Sequence, residues 1–309
     1  MNNLKIIFIA TPQFGAIILQ GLVKNTYKPV LVISSPDKPA GRKQALTPSP
    51  VKLTAQEHNL PLLQKEKIKE EDIKNLKPDL IISAASSMIL PKNILEIPRY
   101  GSLNVHPSLL PKYRGASPIQ AAILNGDKET GISIVLMAEK IDQGDIISST
   151  TYPLSNKENS ENLTEKLAEL SISLLIKTIS QWIEGKIKLK AQKGKPSYTK
   201  TLKKKDGKIN WQKSAEDIER QIRAFYPWPG SFTLWKKNKL LRVKILEAEI
   251  SQSKEKHSIG QVFLQRDDLC VQCKEGILII KKLQLEGKKP MSSEDFLRGN
   301  KEFINTTLQ

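Results

Sequence analysis

The sequence predicts two domains, an α/β domain with a mostly parallel sheet followed by a smaller all-β domain. Short apolar runs alternate with amphipathic segments over the first half of the chain, whereas the last third has short apolar runs separated by turn residues. Strands that alternate with helices need crossover connections, so they form a mostly parallel sheet that is covered on both faces. A length of 309 residues is sufficient for two domains.

The apolar runs of the first domain have strand length and lie at residues 4–10, 29–34, 79–84, 102–105 and 131–137. Apolar residues at helical spacing predict helices at 15–24, 51–58 and 70–76, and a long closing helix at 161–184. Ligands of such sheets bind beyond the carboxyl ends of the strands. The loops that follow the strands are therefore where we expect the functional site.

The predicted second domain begins after a lysine-rich stretch. Residues 186–205 contain nine lysines and no acidic side chain, which is typical of a linker rather than a packed element. Beyond it, strand-like runs lie at 242–248, 259–264, 269–273 and 276–285. Short strands with turns between them favour a small all-β barrel. The sequence thus predicts domains at 1–185 and 206–309, joined by a basic linker at 186–205.

The positive charge is concentrated in the C-terminal part of the chain. There are 49 Lys and Arg against 32 Asp and Glu, a net charge of +17. Residues 1–185 contain 21 basic and 18 acidic side chains, whereas residues 186–309 contain 28 basic and 14 acidic ones, a net charge of +14. The usual partner of such a charge is a polyanion. The C-terminal part is therefore predicted to bind a nucleic acid or an anionic membrane surface.

The sequence lacks the features of secreted and membrane-spanning proteins. No apolar run approaches the roughly 20 residues that cross a bilayer, and the run at 4–10 leaves no room for a signal peptide. Cys270 and Cys273 cannot build a disulfide framework, and without a second pair they are expected to be buried rather than to bind zinc. We therefore expect a cytoplasmic protein without a metal, and a monomer because no large apolar surface pattern stands out.

The densest group of chemically active side chains lies at the fourth predicted strand. Asn104 and His106 are two residues apart, so they project from the same face while Val105 points to the other. Pro107 ends the strand just after them. A histidine that only satisfies its own hydrogen bonds near a turn is the alternative. The neighbouring amide, the strand end and the Pro- and Gly-punctuated loop at 108–115 favour a functional site.

A carboxylate is expected to orient this histidine. Asp142 and Asp145 both lie in the turn after the run at 131–137, and spacing alone does not separate them. The chain has no Walker loop and no G-x-G-x-x-G motif, so no nucleotide-phosphate cradle is indicated. Because no serine or cysteine nucleophile stands beside a base, we expect direct transfer without a covalent enzyme intermediate.

Three motifs resemble those of the formyltetrahydrofolate-dependent formyltransferases: Asn104-Val-His106, Ser108-Leu-Leu-Pro111 and Ile141-Asp-Gln-Gly-Asp145. Further segments are similar to the members of this family that act on methionyl-tRNA. These segments are residues 10–14, 35–42, 46–52 and 114–120 in the first part of the chain, and 209–211, 222–230 and 287–296 in the last part. The resemblance covers essentially the whole chain.

This resemblance implies a Rossmann-like catalytic domain at 1–185 and an OB-like barrel that binds tRNA at 206–309. It implies an enzyme that transfers the formyl group of 10-formyltetrahydrofolate to the α-amine of methionine on initiator tRNA. Asn104, His106 and Asp142 fall on the catalytic positions of the family. The positions implied to bind the folate are Ser108, Leu109, Leu110, Pro111, Met88 and Ile89.

Flexible cations are assigned to the tRNA, whose binding is largely electrostatic. The loop at 36–43 borders the expected site, and the run at 235–244 has five basic residues in ten beside the aromatic Trp235. The residues assigned to the tRNA are Lys38, Arg42, Lys43, Lys203, Lys204, Lys205, Lys236, Lys237 and Lys239. For any single lysine, a solubilising surface role is the alternative.

Two other functions fit parts of this pattern. A formyltransferase that acts on a small molecule, such as an amino sugar nucleotide, would share the motifs, but it leaves the +14 charge of the C-terminal part without a partner. An RNA-binding module with an inactive catalytic fold would not need Asn104, His106 and Asp142 together.

Overall fold

Two sheets organise the structure, a mostly parallel one in the N-terminal half and an antiparallel one in the C-terminal third. The computed structural model describes residues 4–40, 45–252 and 257–309. In chain order the strands are β1 (Ile6–Ala10), β2 (Leu31–Ser34), β3 (Lys38–Ala40), β4 (Ala45–Thr47), β5 (Leu62–Gln64), β6 (Leu80–Ala84), β7 (Ser102–His106), β8 (Arg114–Gly115), β9 (Glu129–Leu136), β10 (Ile146–Pro153), β11 (Tyr198–Thr199), β12 (Ser231–Lys236), β13 (Leu240–Ser251), β14 (Val262–Gln265), β15 (Asp268–Gln272), β16 (Ile277–Leu285) and β17 (Met291–Ser292). The α-helices are α1 (Gln13–Lys24), α2 (Pro50–Glu57), α3 (Glu70–Ile73), α4 (Lys92–Leu95), α5 (Pro118–Leu124), α6 (Ser160–Ile183), α7 (Ala215–Ala224) and α8 (Ser293–Gly299), and short 3-10 helices lie at Lys74–Leu76, Lys204–Gly207 and Lys301–Phe303.

The described residues form two compact units. The first comprises the described residues of Met1–Pro118, together with Lys128–Leu154 and Asn162–Lys200. The second comprises Ile119–Asp127, Ser155–Glu161 and the described residues of Thr201–Gln309. Within the described part of the chain, no helix is long and apolar enough to cross a membrane.

The first unit is built on a seven-stranded sheet in the order β10-β9-β7-β6-β1-β2-β5. The strands β5, β2, β1, β6 and β7 run parallel, and β9 and β10 add an antiparallel hairpin at one edge. Every residue of β1 and β6 is buried. Continuous apolar strands of this kind belong to sheets that are covered on both faces. The predicted mostly parallel α/β fold is confirmed.

The helices of this unit begin and pack as their sequences predict. The hydroxyl of Ser49 caps α2 by accepting a 3.1 Å hydrogen bond from the backbone N–H of Lys52. Four of the apolar residues at helical spacing in α6, Leu163, Leu167, Leu175 and Ile179, are fully buried, and the others are partly covered. A methyl group on Gly21 of α1 would come within 2.4 Å of the side chain of Ile172 in α6. A glycine is therefore needed where these two helices meet.

Residues 186–200 belong to the first unit, although their lysine content predicts a linker. The backbones of Lys190 and Ile146 exchange two hydrogen bonds of 2.8 and 2.9 Å, and β11 pairs in parallel with β8. The lysine side chains of this segment are exposed. Composition thus predicts their contact with water but not the backbone pairing beneath them. We refer to residues 190–199 as the strap.

The second unit contains the antiparallel sheet β12-β13-β16-β15-β14, with β17 beside β16. The segment 305–309 connects the two outer strands of this sheet. Gln309 exchanges hydrogen bonds of 3.0 and 3.1 Å with Leu234 of β12, and Val262 of β14 donates to Thr306 and accepts from Asn305, both at 2.8 Å. The segment therefore joins β12 to β14 through backbone hydrogen bonds, so that neither outer strand is left unpaired along this part of its edge. The OB-like topology itself stays a prediction.

The expectation of an all-β C-terminal domain omits two helices. Ile218 and Ile222 of α7 and Phe296 of α8 lie in the core of the second unit. Ser214 caps α7 by accepting a 3.1 Å hydrogen bond from the backbone N–H of Asp217. Helix α7 has Ala215, Ile218 and Ile222 at helical spacing among charged residues and a serine cap before them, so the sequence carries a signal for this helix.

Both cysteines are buried and unpaired, as the sequence predicts. Burial raises the pKa of the Cys270 thiol to about 11 and that of the Cys273 thiol to about 12. The thiolate is the reactive form of cysteine. Both side chains therefore act as small apolar groups of the core at neutral pH.

We expect Leu308→Ala to destabilise the second unit by about 2–5 kcal/mol, the usual cost of removing a buried leucine side chain. Leu308 is the residue of the segment 305–309 whose side chain is buried in the core of the second unit. Thr307→Ala is the matched control because Thr307 is exposed. Urea unfolding followed by tryptophan fluorescence measures both variants. Equal stability of the two variants would contradict a structural role for the segment 305–309.

We expect the two thiols of the folded protein to react with iodoacetamide at pH 8 at least about 100-fold more slowly than those of the urea-unfolded chain, because an ordinary thiol has a pKa of roughly 8.5. Above that pH the unfolded thiols ionise while the folded ones stay protonated, so the free energy of unfolding falls as the pH rises. Mass spectrometry of the alkylated chain measures the rates. Rapid alkylation of the folded protein at pH 8 contradicts the buried placement.

Candidate functional site

Asn104 and His106 lie at the carboxyl end of β7, where the sequence predicts the site. Their strand pairs in parallel with β6 and antiparallel with β9, which fixes its position within the sheet. The side chains of Asn104 and His106 both approach Asp142, whereas the side chain of Val105 is fully buried. His106 is buried and Asn104 is half-buried. The amide can therefore be reached from solvent while the imidazole is held in place.

Asp142 joins these two side chains. Its Oδ1 accepts a 3.1 Å hydrogen bond from Asn104 Nδ2 and lies 3.5 Å from His106 Nδ1. Its Oδ2 accepts a 2.7 Å hydrogen bond from the backbone N–H of Gly115. Asp145 is exposed, so the structure brings Asp142 and not Asp145 to the pair. The side chains of His106 and Asp142 are only 5% and 7% exposed, so their charges interact with little screening by water.

The orientation of the His106 ring is set from its other side. The backbone carbonyl of Tyr113 lies 3.0 Å from Nε2. A carbonyl oxygen can only accept, so Nε2 carries a hydrogen and donates it. Nδ1 is then the nitrogen that faces the carboxylate of Asp142. Tyr113 contributes a backbone atom, and a backbone contribution leaves no signal in the residue type.

The turn that carries Asp142 has a constrained backbone. Asp142 has a φ of 54°, a left-handed conformation that few non-glycine residues adopt. A methyl group on Gly144 would lie 1.7 Å from the backbone oxygen of Leu136. Gln192 of the strap donates to the carbonyl oxygens of Asp142 and Gly144, each at 2.8 Å. The side chain of Arg114 in turn donates to Gln192.

The loop after β7 contains four of the predicted folate-binding residues, and hydrogen bonds within the loop and to β9 fix its shape. The hydroxyl of Ser108 donates to the carbonyl of Lys112 (2.6 Å), so it is engaged with the loop's own backbone. Ser133 of β9 donates to the carbonyl of Ser108 (2.8 Å) and accepts from the backbone N–H of Leu110 (3.0 Å). Leu109 and Pro111 are partly exposed and Leu110 is buried. The loop can thus offer apolar side chains and backbone groups to a ligand, but not the Ser108 hydroxyl.

The other two predicted folate-binding residues differ in exposure. Met88 is 8% exposed and packs in the core of the first unit, whereas Ile89 is 72% exposed. Both follow β6, whose carboxyl end lies beside that of β7. Among the described residues, no group of three or more His, Cys, Asp or Glu side chains could hold a metal ion.

The lysines predicted to bind tRNA have different surroundings. Lys38 is exposed in β3, and the preceding Asp37 is anchored by Lys52 (2.6 Å) and Gln64 (2.8 Å). The pKa of the Asp37 carboxyl is lowered, mainly by the hydrogen bond from the ammonium group of Lys52 and to a smaller extent by the one from the Gln64 amide. Arg42 and Lys43 lie outside the described residues.

The predicted cations of the second unit are mostly exposed. The side chains of Lys203, Lys204, Lys205, Lys236 and Lys239 are in contact with solvent. Lys237 instead pairs with Glu302 at 2.5 Å and lies over the ring of Trp235. Trp235 is 1% exposed and packs edge-on against Phe296 and Phe303. It is a core residue and is not accessible to a nucleobase.

Three side chains that hold the site in place were not predicted as site residues from the sequence, namely Arg114, Ser133 and Gln192. Each is a single polar residue without a local sequence pattern, and each forms hydrogen bonds with residues that are distant in the sequence. Arg114 lies within a segment that carries the family resemblance, which was the available signal. Gln192 lies within the predicted linker, where no signal pointed to the site.

Two family models and relatives of nearly the same length match this chain. Residues 4–179 match the family model described as formyl transferase, and residues 201–301 match the formyl transferase C-terminal domain. The chain is 41% identical over 303 residues to a methionyl-tRNA formyltransferase of Halalkalibacterium halodurans, covering 96% of this chain and 95% of the relative. It is 43% identical over 309 residues to that of Pseudoalteromonas translucida, covering 97% and 95%.

Solved structures share the fold at lower identity. HypX from Aquifex aeolicus, determined with tetrahydrofolic acid, gives a TM-score of 0.63 at 17% identity over 97% of this chain, which spans about half of that protein (47%). An N-formyltransferase from Helicobacter canadensis, determined with folinic acid and dTDP-3-aminofucose, gives a TM-score of 0.65 at 22% identity, covering 90% of this chain and 98% of that one. From the two family matches and the full-length relatives, the chain belongs to the formyl transferase family.

Proposed function

We propose that this chain transfers the formyl group of 10-formyltetrahydrofolate to the α-amine of methionine esterified to initiator tRNA. The observation that carries the proposal is the contact of Asp142 with both Asn104 and His106 at the carboxyl end of β7. The relatives that match over nearly the full length are named for this reaction. In the reaction a C–N bond forms between the amine and the formyl carbon, and the bond from that carbon to the folate nitrogen breaks.

Asn104 is assigned to the negative charge that develops on the formyl oxygen. Its amide has two N–H groups, and one of them donates to Asp142. That bond fixes the plane of the amide, so the direction of the second N–H is set before the substrate arrives. A fixed neutral donor of this kind stabilises an oxyanion without reorganising during the reaction.

His106 is assigned to the proton that the attacking amine loses. Its Nε2 is engaged with the Tyr113 carbonyl, which leaves Nδ1 to accept the proton beside the Asp142 carboxylate. The carboxylate then offsets the positive charge of the imidazolium. A proton returned from Nδ1 to the folate nitrogen makes that nitrogen a better leaving group. Because the ring nitrogens face a carbonyl and a carboxylate, His106 does not activate a serine or cysteine, which supports direct transfer.

The folate is assigned to the loop after β7 and to the segment after β6. Leu109 and Pro111 are accessible from solvent, and Ile89 is largely exposed, so apolar side chains are available for a planar ring. Leu110 and Ser108 shape the loop from inside through Ser133. Of the six predicted residues, Ile89, Leu109 and Pro111 are assigned to contact with the ligand, whereas Met88 packs in the core and the Ser108 hydroxyl bonds to the backbone of its own loop.

The tRNA is assigned to exposed lysines of the second unit and, as a separate set, to Lys38, Arg42 and Lys43, of which only Lys38 lies in the described part of the chain. Residues 186–309 have a net charge of +14, of which residues 186–200 of the first unit contribute +6 and residues 201–309 contribute +8, and this charge suits a polyanion and not a small acceptor. Lys203, Lys204, Lys205, Lys236 and Lys239 are the cations assigned to the RNA backbone. Lys237 is a weaker candidate because it is paired with Glu302.

Two finer expectations belong to the same proposal. The protein acts in the cytoplasm, where initiator tRNA is charged, and it acts as a monomer. Two buried thiols without a disulfide suit a reducing compartment. Size-exclusion chromatography with light scattering tests the monomer.

The acceptor is tested by incubating the protein with labelled 10-formyltetrahydrofolate and three acceptors in parallel: methionyl-initiator tRNA, a dTDP-amino sugar and water alone. Label on the methionyl-tRNA supports the proposal. Label on the sugar, or free formate only, overturns it in favour of a small-molecule formyltransferase or a hydrolase.

Asn104→Ala and His106→Ala are each expected to lower kcat by about 100-fold or more, the usual cost of removing one oxyanion donor or the general base. The affinity for tRNA should change little, since neither residue is assigned to the RNA. Gln143→Ala is the control because its side chain is exposed beside Asp142. Turnover and filter binding are measured on the same preparations. Full turnover of Asn104→Ala contradicts its role, and equal loss of binding and turnover indicates unfolding.

Lys236→Glu combined with Lys239→Glu is expected to weaken tRNA binding and to reduce the slope of log affinity against log salt by about 0.7–0.9 for each phosphate that the protein no longer neutralises. Lys24→Glu combined with Lys28→Glu is the matched control, because it changes the net charge equally at two other exposed lysines. Binding is titrated at several salt concentrations. An equal effect of both pairs would show that only the net charge matters.

A further inference from the structure

Gln192 makes four hydrogen bonds that converge on the turn carrying Asp142. Its Nε2 donates to the backbone carbonyls of Asp142 and Gly144, each at 2.8 Å. Its Oε1 accepts from Arg114 Nε at 3.1 Å and Arg114 Nη2 at 2.7 Å. The side chain thus uses both hydrogens of its amide nitrogen and receives two donors at its oxygen.

The direction of the Gln192 amide follows from the chemistry of its partners. A guanidinium group has only donors, and a carbonyl oxygen only accepts. The amide oxygen must therefore face Arg114 and the nitrogen must face the turn. No other residue type has an acceptor and a two-hydrogen donor at the end of a side chain of this length. Even glutamate, which has the same shape, would place an acceptor against two carbonyl oxygens.

Besides the bonds from Gln192, the backbone of the turn makes two hydrogen bonds, from the N–H of Gln143 to the carbonyl of Lys140 (3.2 Å) and from the N–H of Leu136 to the carbonyl of Asp145 (3.0 Å), and neither of them lies at the backbone of Asp142 itself. Ile141 is 57% exposed and Gln143 is also exposed, so packing does not hold the residues on either side of Asp142. The left-handed φ of Asp142 is a further cost that the surroundings must offset. Gln192 donates its two hydrogen bonds to the backbone carbonyls of Asp142 and Gly144. The position of this backbone determines where the Asp142 carboxylate lies.

The strap holds the other half of the site as well. Ser197 Oγ accepts a 2.9 Å hydrogen bond from the backbone N–H of Tyr113, the residue whose carbonyl binds His106. Thr199 pairs with Gly115, the residue whose N–H binds the Asp142 carboxylate. Each catalytic side chain with an ionisable group is therefore fixed through a backbone group that the strap contacts.

We propose that Gln192 is a positioning residue for formyl transfer: it holds the turn so that the Asp142 carboxylate stays in contact with Asn104 and His106. The inference rests on the proposed function for the reaction that it serves. Gln192 does not touch the reacting atoms, so its removal should lower the rate of the chemical step and leave substrate binding nearly unchanged.

The central experiment compares Gln192→Ala and Gln192→Glu with the wild-type chain. Both variants are expected to lower kcat by about 10- to 100-fold, because a displacement of about 1 Å in a catalytic group costs that much, with the KM values for folate and tRNA within about twofold. The Gln192→Glu variant retains an acceptor for Arg114 but lacks the donors for the turn. Lys193→Ala is the control, since Lys193 is exposed on the same segment. Thermal melting confirms that each variant is folded.

A double-mutant cycle separates positioning from a general structural role. If Gln192 acts through Asp142, then Gln192→Ala lowers single-turnover product formation by less than about twofold when Asp142→Asn is already present, because coupled residues are not additive. A merely structural role would give the full loss again in that background. If Asp142→Asn leaves no measurable product, Gln192→Glu decides: activity equal to wild type overturns the proposal.

The outcomes distinguish this proposal from the proposed function. If the wild-type chain does not formylate methionyl-tRNA, the proposed function fails before any variant is compared. If the wild-type chain is active and a folded Gln192→Ala variant has the same kcat, the positioning role is overturned while the function stands. A rise in KM with unchanged kcat also overturns it, since that result assigns Gln192 to substrate binding.

Discussion

The Asp142 carboxylate is the interaction on which the site depends. It receives a hydrogen bond from the Asn104 amide, lies beside Nδ1 of His106 and receives the backbone N–H of Gly115. A buried carboxylate is costly unless it is paired, and here its three contacts offset that cost and at the same time orient the two groups next to it. The same carboxylate is thus stabilised by its neighbours and fixes the orientation of the Asn104 amide and the His106 ring.

Much of the structure around this carboxylate serves to present it. The sheet places Asn104 and His106 at one strand end, and the hairpin of β9 and β10 adds Ser133 to brace the loop after β7. The strap supports the turn and the Tyr113 backbone from the other direction. The alternation of side chains along a strand places Asn104 and His106 on the same face. Hydrogen bonds to residues outside the strand then hold these side chains in position.

The sequence predicted the elements whose signal is local. Continuous apolar runs predicted β1 and β6, and the two-residue spacing predicted a shared face for Asn104 and His106. Residue types alone did not show whether Asp142 or Asp145 orients the histidine. The family resemblance favoured Asp142, and the structure places that residue beside Asn104 and His106. Gln192 and Ser197 could not be found, because their partners lie 50 and 84 residues away and nothing in a lysine-rich segment marks a backbone pairing. The connection of β12 to β14 by residues 305–309 escaped detection for the same reason.

The membership of residues 186–200 in the first unit has a practical consequence for dividing the chain. A fragment that ends at residue 185, where composition places the boundary, would lack Gln192, Ser197 and Thr199. It would keep every residue of the Asn104–His106–Asp142 cluster and yet lack the groups that fix the Asp142 turn and the Tyr113 backbone. A fragment intended to retain the geometry of the site must therefore extend at least to Lys200. Exchanging the strap for a generic flexible tether would have the same effect as cutting the chain before it.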